Sequence, residues 1–456
     1  MTKSVKWQGW SDAEVRAALE LPAGAGTAEY SEVSTDTRTL QQGALFVAIK
    51  GDRFDGHDHL AAARAAGAAA ALVRQGIEPI EGLEFYPVDD TLKAYGMLAR
   101  HRRRAISGPV VAVGGANGKT STKEMCAAVL RTRYRLQSTP ANDNNLVGIP
   151  KTILAAPADT EALVIEAGAN MRGELALARE IIEPTVTVTT NVVLSHLDGF
   201  GSLEGILEEE LELLDGVPLA LVGTEPPNLA DAARQRAQRV LTVGLARADR
   251  VPQSVSVDST GRATLMVNGL RITLPLLGQH QASNAMLAWT LGQELSIDPA
   301  AAAEALRGLK IPGGRGEIIE AGGLTIVNDA YNANPSSFMA AIATARTMRG
   351  SRPLVFVAGT MRELGPDAAR HHAAVAAALV GLEPDLLVAV GDFVPVLTPY
   401  AGRLKDRLLT APDAPTLGPL LKGRLRGDEL VVLKASRGVA LERILPFLTG
   451  QDHPIH

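Results

Sequence analysis

The chain is predicted to be an α/β protein of three units, each organised on a mostly parallel sheet. Three observations carry this expectation. Short apolar, β-branched runs alternate with longer Ala-rich runs through most of the sequence, as parallel strands covered by helices on both faces do. Two breaks, Ser107-Gly-Pro109 and Ile311-Pro-Gly-Gly314, divide the alternation into segments 1–107, 108–313 and 314–456. The length of 456 residues also exceeds what a single core organises. The expected architecture is a small N-terminal α/β unit, a central mostly parallel sheet carrying a phosphate loop, and a C-terminal Rossmann-like unit.

In the first segment, Ser11-Asp-Ala-Glu14, ahead of Val15, Ala18 and Leu19, is a capping-box helix start. Residues 43–49 form a short strand, 60–71 an Ala-rich helix, and 71–73 begin another strand. The basic run 101–104 is expected to be a solvated helix end. In the second segment, strands fall at 110–113, 162–165 and 185–190, with helices at 121–131 and 282–295. In the third, strands at 324–327, 354–358, 386–390 and 430–433 alternate with helices at 338–348 and 368–379.

Composition narrows the function. Hydrophobic residues make up 46% and charged residues 21%, as in a soluble enzyme. Aromatics are only 4%, so Ala, Val, Leu and Ile must build the core. A net charge of −5 gives no reason to expect a nucleic-acid or membrane-surface partner. The lone cysteine, Cys126, allows no intrachain disulfide and suits a reducing compartment. No signal-type apolar core opens the sequence and no apolar run reaches membrane-spanning length. A cytoplasmic protein without an integral membrane segment is expected.

Ligands of open parallel sheets bind beyond the carboxyl ends of the strands. Just past the expected strands stand 114–120, Glu166, Asn191 with His196, 329–334, and Lys434 with Ser436. These stretches are glycine-rich, polar or acidic, the composition of a phosphate and metal site. Gly114, Gly115, Ala116, Asn117, Gly118, Lys119 and Thr120, with Ser121 next, form a strand-to-helix phosphate loop. Its glycines let N–H groups approach phosphate, Lys119 supplies charge, and Thr120 offers a hydroxyl to Mg2+. Three residues, not the usual four, separate Gly114 from Gly118. Glu166, a carboxylate at a strand end opposite that loop, is a natural magnesium ligand. By themselves, His196 suggests a structural histidine, 139–145 a polar turn, and Glu208, Glu209 and Glu210 a solvated acidic helix face.

Gly115-Ala-Asn-Gly-Lys-Thr-Ser-Thr-Lys123 resembles the ATP loop of the Mur ligases of peptidoglycan synthesis, which share the shortened spacing, and the resemblance extends over nearly the whole chain. It implies an ATP-dependent carboxylate–amine ligase using ATP and Mg2+, with Lys119, His196 and Glu210 catalytic and with Thr120, Glu166, His196 and Glu210 on metal. Members of the family carry a carbamylated lysine fourteen residues after that histidine. Here the position is Glu210, which is expected to supply the carboxylate directly. Asn144 and Asn145 match a segment near the sugar-nucleotide substrate and the reacting phosphate. His280 and Asn284 match residues that approach ATP, and Arg315 stands where closure would bring it to the phosphates.

Other strings imply a particular member. Val327-Asn-Asp-Ala-Tyr-Asn-Ala-Asn-Pro335 resembles the DDxYNANP signature of the ligase that adds D-alanyl-D-alanine to UDP-N-acetylmuramoyl-tripeptide, with Asn328 in place of the first Asp. It implies Asp329 on the ribose, Tyr331 and Asn332 beside the nucleotide, and Asn334 toward substrate. Gly359-Thr-Met-Arg-Glu-Leu-Gly365 with His371 or His372, and Lys434-Ala-Ser-Arg-Gly438, resemble segments of the same enzyme, and imply Lys434 and Ser436 near the dipeptide. Ser34-Thr-Asp-Thr-Arg38 implies Asp36, Thr37 and Arg38 on the UDP-sugar. A monomer is expected. The rivals are another ligase of the same fold, such as the preceding enzyme of the pathway or a folate polyglutamate synthetase, and, in a different class, a nucleotide switch that hydrolyses ATP without ligation.

Overall fold

The computed structural model describes residues 9–24, 26–51, 54–310 and 313–451. Ile311 and Pro312 of the second break, and most of the N-terminal stretch judged for a signal segment, lie outside the described residues.

The N-terminal unit holds a parallel sheet ordered Val33–Ser34, Leu45–Val47, Ala70–Arg74, Glu84–Val88. The capping box forms as the sequence indicates: Ser11 Oγ accepts the Glu14 N–H, and the Glu14 carboxylate accepts the Ser11 N–H. The Ala-rich helix is shorter than expected, Leu60–Ala66, because Gly67 turns left-handed with φ of 106° and releases the chain into the next strand.

The basic run requires correction. Arg102 and Arg103, at the end of the helix Thr91–Arg104, are buried. Arg102 Nη2 donates to the Ala156 and Pro157 carbonyls at 3.1 and 3.0 Å. Arg103 Nε donates to Ile182 O at 2.7 Å, and Nη2 to Glu183 O at 2.6 Å. Terminal helix carbonyls lack intrahelical donors, and the guanidinium fork supplies several at once. These two arginines therefore join the N-terminal and central units instead of meeting water.

The central unit is built on six parallel strands, ordered Val240–Thr242, Leu219–Val222, Val186–Thr189, Val110–Gly114, Ala162–Glu166, Leu136–Ser138. Val111, Val113, Val164 and Val188 share one core with the helices Lys119–Arg131 and His280–Glu294. Ala112, Ile165 and Val222 share the other. From Val110–Gly114 the chain runs to one side of the sheet, returns to Ala162–Glu166, then crosses to Val186–Thr189 on the opposite side. The strand order thus reverses at the carboxyl end of Val110–Gly114, where a ligand crevice opens. An antiparallel sheet, Ser254–Val257, Arg262–Val267 and Leu270–Leu277, was not anticipated.

The C-terminal unit orders its strands Glu317–Ala321, Leu324–Asp329, Leu430–Lys434, Leu354–Ala358, Leu386–Val390, Leu408–Ala411, the first antiparallel. The last strand in sequence enters mid-sheet and makes Asp329 and Lys434 register partners. Among the described residues no helix is long and apolar enough to cross a membrane.

Candidate active site

The phosphate loop leaves the sheet at the reversal point. Gly115 has φ of 111°, and a Cβ there would stand 2.2 Å from Thr190 Oγ1, so glycine is required. Gly118 is the left-handed N-cap of the helix, which starts at Lys119, two residues before the expected start. No side chain caps that end, which leaves the first turn to an anion. Lys119 Nζ folds back over the loop and donates to Gly115 O at 2.6 Å and to Ala116 O at 3.2 Å.

Glu166 is buried beside this loop. Its Oε1 accepts from Thr120 Oγ1 at 3.1 Å and from Asn144 Nδ2 at 2.9 Å. Its Oε2 is buried and has no hydrogen-bond partner. A carboxylate oxygen left in that state is costly unless a cation satisfies it. Asn145 Oδ1 accepts the Val147 and Gly148 N–H groups just ahead of the helix Gly148–Leu154. Lys123, fully buried, ties the loop helix to the 139–145 segment by donating to Thr139 O at 2.8 Å, and it pairs with Glu124.

Glu210, on the helix Leu203–Glu212, is buried directly behind the loop. Its Oε2 accepts the Gly115 N–H at 2.7 Å. Burial pushes its carboxyl pKa up, while Lys119 and that N–H pull the other way. Glu209 is not solvated as expected: it is buried, and it accepts the Gly173 and Leu175 N–H groups at the start of the helix Glu174–Ile182. Glu208 is exposed.

His196 takes a left-handed conformation with φ of 48°. Its Nδ1 lies 2.5 Å from Glu363 Oε2, and this contact holds the Glu363 carboxyl below its ordinary range. Alongside, Leu197 N donates to Glu363 O at 2.8 Å and Gly365 N donates to Asp198 Oδ1 at 3.1 Å. The sequence left open which histidine supports the 359–365 segment. It is His372, buried, whose Nε2 accepts the Met361 N–H at 2.9 Å.

The C-terminal unit closes the other wall. Arg315 stacks its guanidinium over the Tyr331 ring at 3.8 Å. Lys434 is buried, pairs with Asp329 at 2.7 Å and donates to Asn332 O at 2.8 Å. Ser436 Oγ donates to Ala333 O and accepts the Arg362 N–H. His280 is open to the cavity, yet the protein around it holds its imidazole below the ordinary value.

These walls enclose a cavity of about 730 Å³. From the phosphate loop it is lined by Ala116, Asn117, Gly118, Lys119, Thr120 and Ser121, and across from them by Asn144, Asn145, Glu166 and His196. His280, Asn284, Arg315, Asp329, Tyr331, Asn332 and Lys434 are the other predicted residues on its wall. Gly114, Gly115, Glu210, Asn334 and Ser436 lie behind the wall instead of on it. Asp36, Thr37 and Arg38 stand apart in the N-terminal unit, where Asp36 pairs with exposed Arg38 at 2.6 Å and is held down at about 2. Sequence reasoning missed Thr224, Glu225, Gly244 and Leu245. They come just after Leu219–Val222 and Val240–Thr242, strands not recognised in the sequence, so the same strand-end rule would have found them.

The models of three Mur ligase domains match this chain: the Mur ligase family catalytic domain over 29–103, the middle domain over 113–292 and the glutamate ligase domain over 314–437. A UDP-N-acetylmuramoyl-tripeptide--D-alanyl-D-alanine ligase of Bacillus subtilis strain 168 is 37% identical over 423 residues, 91% of this chain and 92% of that one. The chain belongs to the Mur ligase family. A Mur ligase with the same name from Escherichia coli K12 is 32% identical over 425 residues, 91% of this chain and 92% of that one. Among solved structures, a MurF from Acinetobacter baumannii superposes with a TM-score of 0.86 at 26% identity, covering 98% of this chain and all of that one. A MurF ligase from Thermotoga maritima in complex with ADP superposes with a TM-score of 0.79 at 27% identity, over 91% of this chain and 96% of that one. The family's three-domain α/β architecture is the one described above.

Proposed function

We propose that this Mur ligase joins D-alanyl-D-alanine to UDP-N-acetylmuramoyl-tripeptide, converting ATP to ADP and phosphate, in a cytoplasmic step of peptidoglycan precursor synthesis. The observation that carries this is the convergence on one cavity of the phosphate loop, the Thr120–Glu166 pair and the Asp329–Lys434 strand ends, in a chain with 37% identity to a ligase of that name. In this proposal residues 1–107 take the UDP-sugar through Asp36, Thr37 and Arg38. Residues 108–313 hold ATP, and 314–456 close over the nucleotide and bring in the dipeptide.

The chemistry has two steps. The peptide carboxylate attacks the γ-phosphate of ATP, giving an acyl phosphate and ADP. The dipeptide amine then attacks the acyl carbon, the C–O bond to phosphate breaks, and the amine releases its proton. A free carboxylate is a poor electrophile, and phosphorylation supplies the leaving group. The protein contributes position and charge. The open N-terminus of Lys119–Arg131 and the Lys119 ammonium receive the phosphates. Glu210 fixes the Gly115 N–H from behind. The walls of the central and C-terminal units shield the acyl phosphate from water.

Magnesium fits the residues present, because Glu166 Oε2 is a buried oxygen without a donor beside the Thr120 hydroxyl. Thr120 and Glu166 would hold it, with His196 and Glu210 nearby for a second ion, and it would neutralise phosphate charge. Among the described residues no three His, Cys, Asp or Glu side chains form a metal group by themselves, so phosphate oxygens would complete the coordination. The test is a substrate swap. Phosphate release should require both UDP-N-acetylmuramoyl-tripeptide and D-alanyl-D-alanine. Equal release with a single amino acid would favour another ligase of this fold, and release without any amine would favour a nucleotide switch.

A further inference from the structure

Asn117 and Asn334 face each other across the cleft between the central and C-terminal units. Asn334 Nδ2 donates to Asn117 Oδ1 at 2.7 Å, and Asn117 Nδ2 donates to Asn334 Oδ1 at 3.2 Å. This is a reciprocal amide pair, each side chain using one donor and one acceptor on the other. Both residues are fixed from their own side, Asn117 through its backbone and Asn334 through its side chain. Asn117 belongs to the phosphate loop, where its N–H donates to Asn191 Oδ1 at 3.1 Å and its carbonyl accepts from Thr190 Oγ1 at 2.7 Å and from Asn191 Nδ2 at 3.0 Å. Asn334 is buried and caps the helix Pro335–Arg349, its Oδ1 accepting the Ser337 N–H at 2.8 Å.

We propose that Asn117 and Asn334 act as a clasp, positioning residues through which closure of the C-terminal unit sets the shape of the phosphate loop. Each amide uses one donor and one acceptor on the other, which ties the two units together at the edge of the cavity that Asn117 lines. Asn117 immediately precedes Gly118 and Lys119, so a pull on its side chain is transmitted to the N-cap and to the ammonium that meets phosphate. Asn334 opens a helix of 15 residues, so movement of the whole C-terminal unit reaches the loop at one point. The clasp rests on the ligase reading for its catalytic consequence.

The test is a double-mutant cycle with Asn117→Ala, Asn334→Ser and the pair together, with Asn334→Asp as the conservative variant. Serine keeps the helix cap but is too short to reach Asn117. Aspartate keeps the cap and can still accept from Asn117 Nδ2. Two net hydrogen bonds lost predict a fall in kcat on the order of tenfold for each single variant, with KM for ATP changed less than about twofold. The double variant should be no slower than the slower single one, and Asn334→Asp should fall between Asn334→Ser and the parent. Single effects that multiply in the double variant, or a loss expressed in KM for ATP, would overturn the clasp and make the asparagines independent ligand contacts. Small-angle scattering with ADP and magnesium separates this from failure of the ligase reading, because it needs no acyl acceptor. The parent should be more compact than Asn334→Ser, and equal radii would also overturn the clasp. If the parent compacts but does not ligate D-alanyl-D-alanine, the functional reading falls and the clasp stands.

Discussion

Replacing Glu210 by glutamine isolates what its charge does. The side chain is buried, and its Oε2 accepts the Gly115 N–H at 2.7 Å. Glutamine has the same shape and keeps a carbonyl acceptor for that N–H. The hydrogen bond weakens by about 1 kcal/mol on losing its charge, and removing a desolvated carboxylate offsets that loss. Folding stability in Glu210→Gln should therefore stay within about 1 kcal/mol of the parent in a urea melt. Alanine is different: it leaves a buried N–H unpaired and should cost about 1–3 kcal/mol. Activity should separate from stability, because Glu210 holds the Gly115 N–H of the loop and interacts electrostatically with Lys119. We expect Glu210→Gln to lower kcat about 10- to 100-fold, the scale seen when groups that support a metal or its ligands are removed, and to raise the magnesium concentration for half-maximal ligation. A folded Glu210→Gln enzyme with full activity at an unchanged magnesium requirement would refute the role of the charge. A sharper arm uses Glu210→Lys, the residue type of the resembling ligases. Bicarbonate should raise the activity of that variant and leave the parent unaffected.

Two further outcomes are expected. Arg103→Met keeps the aliphatic stem and removes the donors to the Ile182 and Glu183 carbonyls; it should cost about 2–4 kcal/mol in chemical denaturation, and a change under about 0.5 kcal/mol would mean the run is solvated after all. Burial, with the Glu84 and Asp12 carboxylates beside it, pushes the Tyr30 phenol up to about 12 against the opposing pull of its hydrogen bond with Tyr86, and burial with the Asp12 and Tyr30 hydrogen bonds raises Tyr86 as well. The native state keeps these protons where the unfolded chain loses them, so their contribution is complete below about 10 and is lost as pH rises through the native values. Phenolate absorbance from Tyr30 should appear near pH 12. Its appearance near 10 in the folded protein would contradict the buried network, and Tyr30→Phe should flatten the alkaline loss of stability.

The sequence by itself determined the three α/β units, the phosphate loop and most of the cavity wall. It could do so because these features are local. A parallel strand buried on both faces must be a continuous apolar run, and the residues just past it must then line the crevice. Glu166, Asp329 and Lys434 were found in this way, and Ser11 with Glu14 fixed a helix start within four residues. Only the tertiary structure decided what distant polar groups do. Arg102, Arg103 and Glu209 have the composition of a wet surface. Each is buried because backbone carbonyls or N–H groups more than thirty residues away lack partners in their own helices. Leu219–Val222 is a continuous apolar run like the strands recognised but was not read as one, and Val240–Thr242 spans only three residues, so Thr224 and Gly244 were missed. Asn117 and Asn334 were each legible as site residues. That they bind one another, across 217 positions, results from two units meeting, because hydrogen-bond partners separated by that much chain are selected by packing and leave no periodic trace in the sequence.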